Sequence, residues 1–79
     1  MVIRFRIPVE REGEPAELAI FNLAGQRVRT WNWNEIIPGE NMVGWDGRDQ
    51  EGQELGSGVY LYRLQTGDTA VSRRLVLLK

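Results

Sequence analysis

Cysteine and histidine are both absent from the 79 residues. Without cysteine there is no disulfide and no thiolate zinc site, and the redox compartment stays open. Without histidine the commonest general base is gone, and with it the Ser/His and Cys/His nucleophile pairs and most transition-metal sites. An enzyme built on this chain would have to run on carboxylates, and a domain this small offers little room for a cleft around them. No cofactor is expected. An excess of one charge sign is missing too: ten Lys+Arg against eleven Asp+Glu leave a net charge of −1. With the two signs interspersed, there is no electrostatic case for nucleic acid or an anionic membrane. Long apolar runs are also missing. Met1 to Ile7 alternates apolar residues with arginine, unlike the continuous apolar stretch of a signal peptide. Leu75 to Leu78 is far short of a bilayer span, so membrane insertion is not expected and any export signal would lie on other residues.

What is present reads as one globular domain over residues 1–79, with 42% hydrophobic and 27% charged residues. A chain of this length buries only about 60% of the surface it exposes when unfolded, so its core has to be economical. The hydrophobic period is two almost throughout, which predicts strands. Ile3, Phe5 and Ile7 alternate with Arg4 and Arg6 up to Pro8. Ala16 to Leu23 is apolar on both faces, and Arg27 to Trp33 sets Val28 and Thr30 opposite Arg27, Arg29, Trp31 and Trp33. Asn41 to Trp45 is a short strand, and residues 46–58, rich in glycine and charge, suggest a hairpin with polar tips. Val59 to Thr66 and Ala70 to Leu78 flank a two-residue turn at Gly67-Asp68. Gly25, Asp46, Gly47, Gly52 and Gly58 are the expected turn formers. About seven short strands in under 80 residues predict an all-β fold, an antiparallel β-sandwich of immunoglobulin-like size.

Three stretches carry a family likeness: Trp45-Asp-Gly-Arg-Asp-Gln-Glu-Gly52, Gly58-Val-Tyr-Leu-Tyr-Arg-Leu64 and Arg73-Arg-Leu-Val-Leu-Leu-Lys79. Together with Ile20 to Val28 they resemble the small immunoglobulin-like domains at the C-terminus of many secreted bacterial proteins. These include the type A sorting domains of type IX secretion and the immunoglobulin-like domain of the flagellar hook-capping protein. The resemblance implies a non-catalytic module appended to an exported protein, extracellular or at the cell surface. Its partners would be the secretion machinery or cell-surface components. It further implies that the last strand, Arg73, Arg74, Leu75, Val76, Leu77, Leu78 and Lys79, is the part recognised. Asn22 departs from the family pattern, in which an acidic residue is more usual.

Several motifs admit a functional and a plainer reading. Asp46, Asp49 and Glu51 are hard oxygen donors on one loop, but their spacing fails the EF-hand pattern, with Arg48 at position three and Ser57 at position twelve. The plainer role for Asp46 is to accept a backbone N–H within a turn. Ser57 sits between glycines but has no base and no strand-to-helix elbow. Glu51 and Glu54 lie in the most polar loop, open to water, a poor setting for acid/base catalysis. Trp31 and Trp33 could stack sugar rings, anchor an interface or simply cover the core. The strand arginines could block edge-to-edge pairing, or, at Arg73 and Arg74 with Lys79, form a recognition surface. Alternatively, Ile3, Phe5 and Ile7 mark a strand able to self-associate by strand addition.

Overall fold

The computed structural model describes all residues, Met1–Lys79. Its strands are β1 (Val2–Ile7), β2 (Ala16–Phe21), β3 (Arg27–Trp33), β4 (Gly39–Gly44), β5 (Gly58–Thr66) and β6 (Thr69–Leu77). They form two antiparallel sheets, β1-β4 and β3-β2-β5-β6. This is the immunoglobulin-like sandwich expected from the spacing, with the smaller sheet lying on one face of the larger. The hairpin foreseen over residues 46–58 contracts to one bridge, Arg48↔Glu54. The Asp46 and Asp49 side chains draw the N–H groups of Arg48, Glu51 and Gln53, at 2.9–3.0 Å, away from any ladder. Gly47 and Gly52, at φ +77° and +86°, turn the chain where a Cβ would be strained. A 3-10 turn at Val9–Arg11, unforeseen in the sequence, follows Pro8.

Period-two patterning positions the core. In β1 the buried residues are Ile3, Phe5 and Ile7, while Arg4 and Arg6 face water. They meet Leu18 and Ile20 of β2, Tyr60 of β5, Leu75 and Leu77 of β6, and Trp45 just after β4. The strand read as able to self-associate thus keeps Ile3, Phe5 and Ile7 inside. Their side chains are the core, and what β1 offers to a neighbour is its backbone edge. Ile36, read as part of a plain loop, is also buried. Its N–H and C=O pair with Glu14 O and Gly13 N, at 2.8 and 3.0 Å, tying that loop to the turn after the 3-10 segment.

The face of the larger sheet turned away from the core is roofed by charge and one ring. Phe21 lies between the guanidinium groups of Arg27 and Arg63, at 5.3 and 5.1 Å. Glu17 pairs with Arg27 at 2.7 Å and with Arg63 at 3.9 Å. The period-two reading put Arg27 on the same side as Trp31. A register shift at Ile20/Phe21, leaving Val28 without a partner, sends Arg27 to the opposite side.

The two outer edges of the larger sheet are treated differently. Along β3, the Gln50 N–H donates to Val28 O at 2.8 Å, and Thr30 N–H donates to Gln50 Oε1 at 2.9 Å. One loop residue thus occupies the positions a neighbouring strand would take, which blunts the edge. Gln50→Ala is expected to remove the second bond and leave the first. Amide exchange at Thr30 should then accelerate about fivefold, corresponding to a net ~1 kcal/mol hydrogen bond.

Candidate docking surface

β6 is the longest edge strand and the least covered. Its nine residues pair with β5 without interruption, from Gly58↔Leu77 to Thr66↔Thr69, across the expected Gly67-Asp68 turn. On the other side no other segment bonds its ladder positions; the one contact is the strand's own Arg73 at Ser72 O. Only Leu75 and Leu77 are buried, and the residues from Thr69 to Arg74 are all exposed. The seven residues Arg73 to Lys79 therefore divide. Leu75 and Leu77 are core, Arg74, Val76 and Leu78 stand on the outer face, Leu78 at 83% exposure, and Arg73 and Lys79 are exposed on either side of the core pair. No carboxylate lies within ion-pair distance of Arg73 or Arg74. Arg73 donates only to the carbonyl of Ser72, at 3.1 Å.

The inward face of β6 continues into a groove. Register sets Val71 beside Leu64, and Arg73 beside Tyr62. Across the gap stands β1, whose outer edge is also unpaired, so the groove between the sheets is lined by Phe5, Arg6, Tyr62, Leu64, Val71 and Arg73. Toward the 3-10 turn it extends past Ile7, Thr66 and Thr69 to Arg11. Arg11 is engaged there by Glu14 and Asp68, both at 3.4 Å. Nothing in the linear pattern announces this groove, because it depends on which strands end up at the sheet edges. The one hint is that both edges bordering it carry paired arginines, Arg4/Arg6 and Arg73/Arg74.

The other candidate residues have structural roles. Asp46 Oδ1 accepts the Arg48 N–H, the turn role expected of it. Asp46, Asp49 and Glu51 do not converge: no group of three acidic side chains is placed to hold a metal ion. Gly25 turns the chain at φ +82°, and Gly58 opens β5. Ser57 Oγ accepts the N–H of Lys79 at 2.9 Å, while Lys79 Nζ reaches Gly47 O at 3.3 Å and Glu54 at 3.7 Å. Met1, Trp45, Leu78 and Lys79 thus border one shallow cavity at the same end of the sandwich. Trp33 tilts against Phe5 at 5.6 Å, and Trp31 packs under Arg29 at 4.9 Å. Both indoles are half-buried against the core, so they do not form the open aromatic platform a sugar would need. Trp45, quoted in the sequence only as part of a motif, is the largest fully buried side chain.

Comparison with known proteins agrees with this geometry. No curated protein matches the chain. Among solved structures it is similar to FlgD from P. aeruginosa, at TM-score 0.72 and 21% identity, over 95% of this chain and 57% of that one. It therefore spans little more than half the length of that protein, and at this identity the likeness speaks for the fold. The model of the FlgD Ig-like domain matches residues 2–70, from β1 into the start of β6. The chain belongs to the FlgD Ig-like domain family.

Proposed function

We propose that this chain is a non-catalytic structural module of a larger exported protein of the hook-capping kind, and that it docks through its last strand. The observation that carries the reading is the nine-residue β6, open along one whole edge in a domain that guards its opposite edge with Gln50. A second reading, a sorting signal for type IX export, is favoured by Arg74, Val76 and Leu78, which stand exposed at alternate positions along and just past the end of β6. Self-association by strand addition is supported less well. Pairing β6 with β6, β1 with β1, or one with the other would bring arginines against arginines, and like charges across strands repel.

One pair of transplants separates the first two readings. Exchanged for the corresponding domain of a hook-capping protein, the chain should support hook elongation, and Arg73→Glu/Arg74→Glu should abolish it while the β-sheet circular dichroism is unchanged. Fused behind a reporter in a host with a type IX exporter, it should leave the reporter inside the cell. A folded, exported chimera that elongates no hook would overturn the structural reading. Export of the reporter that is lost with Leu78→Asp would establish the sorting one. Deleting Leu75 to Lys79 is not a usable test, because Leu75 and Leu77 belong to the core.

A further inference from the structure

We infer that β6 and the groove beside it receive an extended peptide carrying two adjacent carboxylates flanked by aliphatic residues, added as a fifth strand to the larger sheet. The inference rests on the reading of this chain as a docking module and names the chemistry of what docks. Three features converge on it. No strand pairs with the outer edge of β6, where Ser72 O accepts only from the strand's own Arg73, and its ladder to β5 is regular throughout, with no bulge or proline to twist it away. The groove floor is apolar, formed by Phe5, Tyr62, Leu64 and Val71, so it favours aliphatic side chains on the inward face of an added strand.

The third feature is charge. Arg73 points to the groove side and Arg74 to the opposite face, and neither has a carboxylate partner. Because side chains alternate along a strand, consecutive residues of an added strand fall beside them on the same two faces. Carboxylates at those two positions would meet both guanidinium groups, as opposite charges across strands attract. The positions two away on the inward face would lie beside Val71 and Leu75. The remaining charges around the groove are largely committed. Arg11 is held by Glu14 and Asp68, and Arg6 stands 3.9 Å from Glu40, so with Glu10 at the far end the uncompensated charge collects at Arg73. The same arginines disfavour a second copy as occupant.

The test is an NMR titration of the isotopically labelled 79-residue chain. The probe is an eight-residue peptide with a central Asp-Glu pair flanked by alternating valine and threonine, and the control carries Lys-Lys at the centre. The expected result is amide shifts and slowed exchange confined to Thr69–Leu77 and the groove residues Phe5 and Leu64, with the acidic peptide bound at least about tenfold more tightly. In Arg73→Glu/Arg74→Glu the preference should invert. Equal binding of both peptides, shifts along β4 instead, or no binding to the folded chain would overturn the inference. So would concentration-dependent β6 shifts without peptide, which would mean self-pairing. Hook elongation by the transplanted domain alongside failed peptide binding would remove this inference alone. Peptide binding without elongation would remove the reading of the parent protein.

Discussion

Trp45→Ala is expected to remove about 4–6 kcal/mol of folding stability, a third or more of what a domain of this size has. The indole is 1% exposed, its Nε1–H donates to Arg48 O at 2.9 Å, and its ring meets Tyr60 edge-on at 5.6 Å. Truncating a buried tryptophan costs about 3–5 kcal/mol through lost transfer energy and the cavity left behind. The aromatic pair adds about 1 kcal/mol. A domain of this size has roughly 4–12 kcal/mol in total. Trp45 also anchors the chain on both sides: Met1 N and Trp45 O lie 2.8 Å apart, as do Trp45 N and Met1 O. Trp45→Phe separates packing from hydrogen bonding. It keeps most of the ring contact, loses the Nε1 donor, and should cost only about 1–2 kcal/mol. Urea titration followed by circular dichroism reads both. A loss below about 1 kcal/mol in the alanine variant would remove Trp45 from the centre of the core.

Leu18→Ala should have the next largest effect, and Leu61→Ala is its comparison. Both leucines sit mid-strand in the larger sheet, but Leu18 is 0% exposed on the core face and Leu61 is 39% exposed on the other. The first change should cost about 3 kcal/mol and lower Tm by roughly 12–24 °C, given about 4–8 °C per kcal/mol in a domain this small. The second should cost under about 1 kcal/mol. Thermal unfolding of the two variants side by side checks the assignment of faces. Comparable losses would mean that the outer face, roofed by Phe21, Arg27 and Arg63, is a second core.

The contrast also shows what was legible in the sequence. In β1, where burial is one-sided, alternation alone identified the buried set, Ile3/Phe5/Ile7, whereas β2 read as apolar on both faces. Alternation is local and tied to the pleat. Arg27 was misplaced because a bulge changes parity after it occurs, and nothing in the residue types marks where the extra residue enters. Ile36 was missed because a single buried side chain in a loop has no period. The residues of the last strand were legible as a strand and as exposed arginines. Their division into core Leu75/Leu77, groove-side Arg73 and outward Arg74, Val76 and Leu78 needed the register to β5. The groove was not legible at all, because it is a property of sheet order. Strands two and five lie in the middle of the larger sheet, and only that arrangement leaves strands one and six facing one another across a gap.

The placement of Met1 and Lys79 at one end of the sandwich has a mechanical consequence. Tension entering at residue 1 and leaving at residue 79 would pull β1 off β4 and β6 off β5 from the same end. The ladder bonds would then be loaded one after another, like a zipper, and not all at once as in shear. Resistance to force would be low along this axis whatever the equilibrium stability, since forced unfolding follows the barrier and not ΔG. In a strained assembly such a domain would yield early, and a peptide lying along β6 would raise the force needed by adding bonds on the strand's open side.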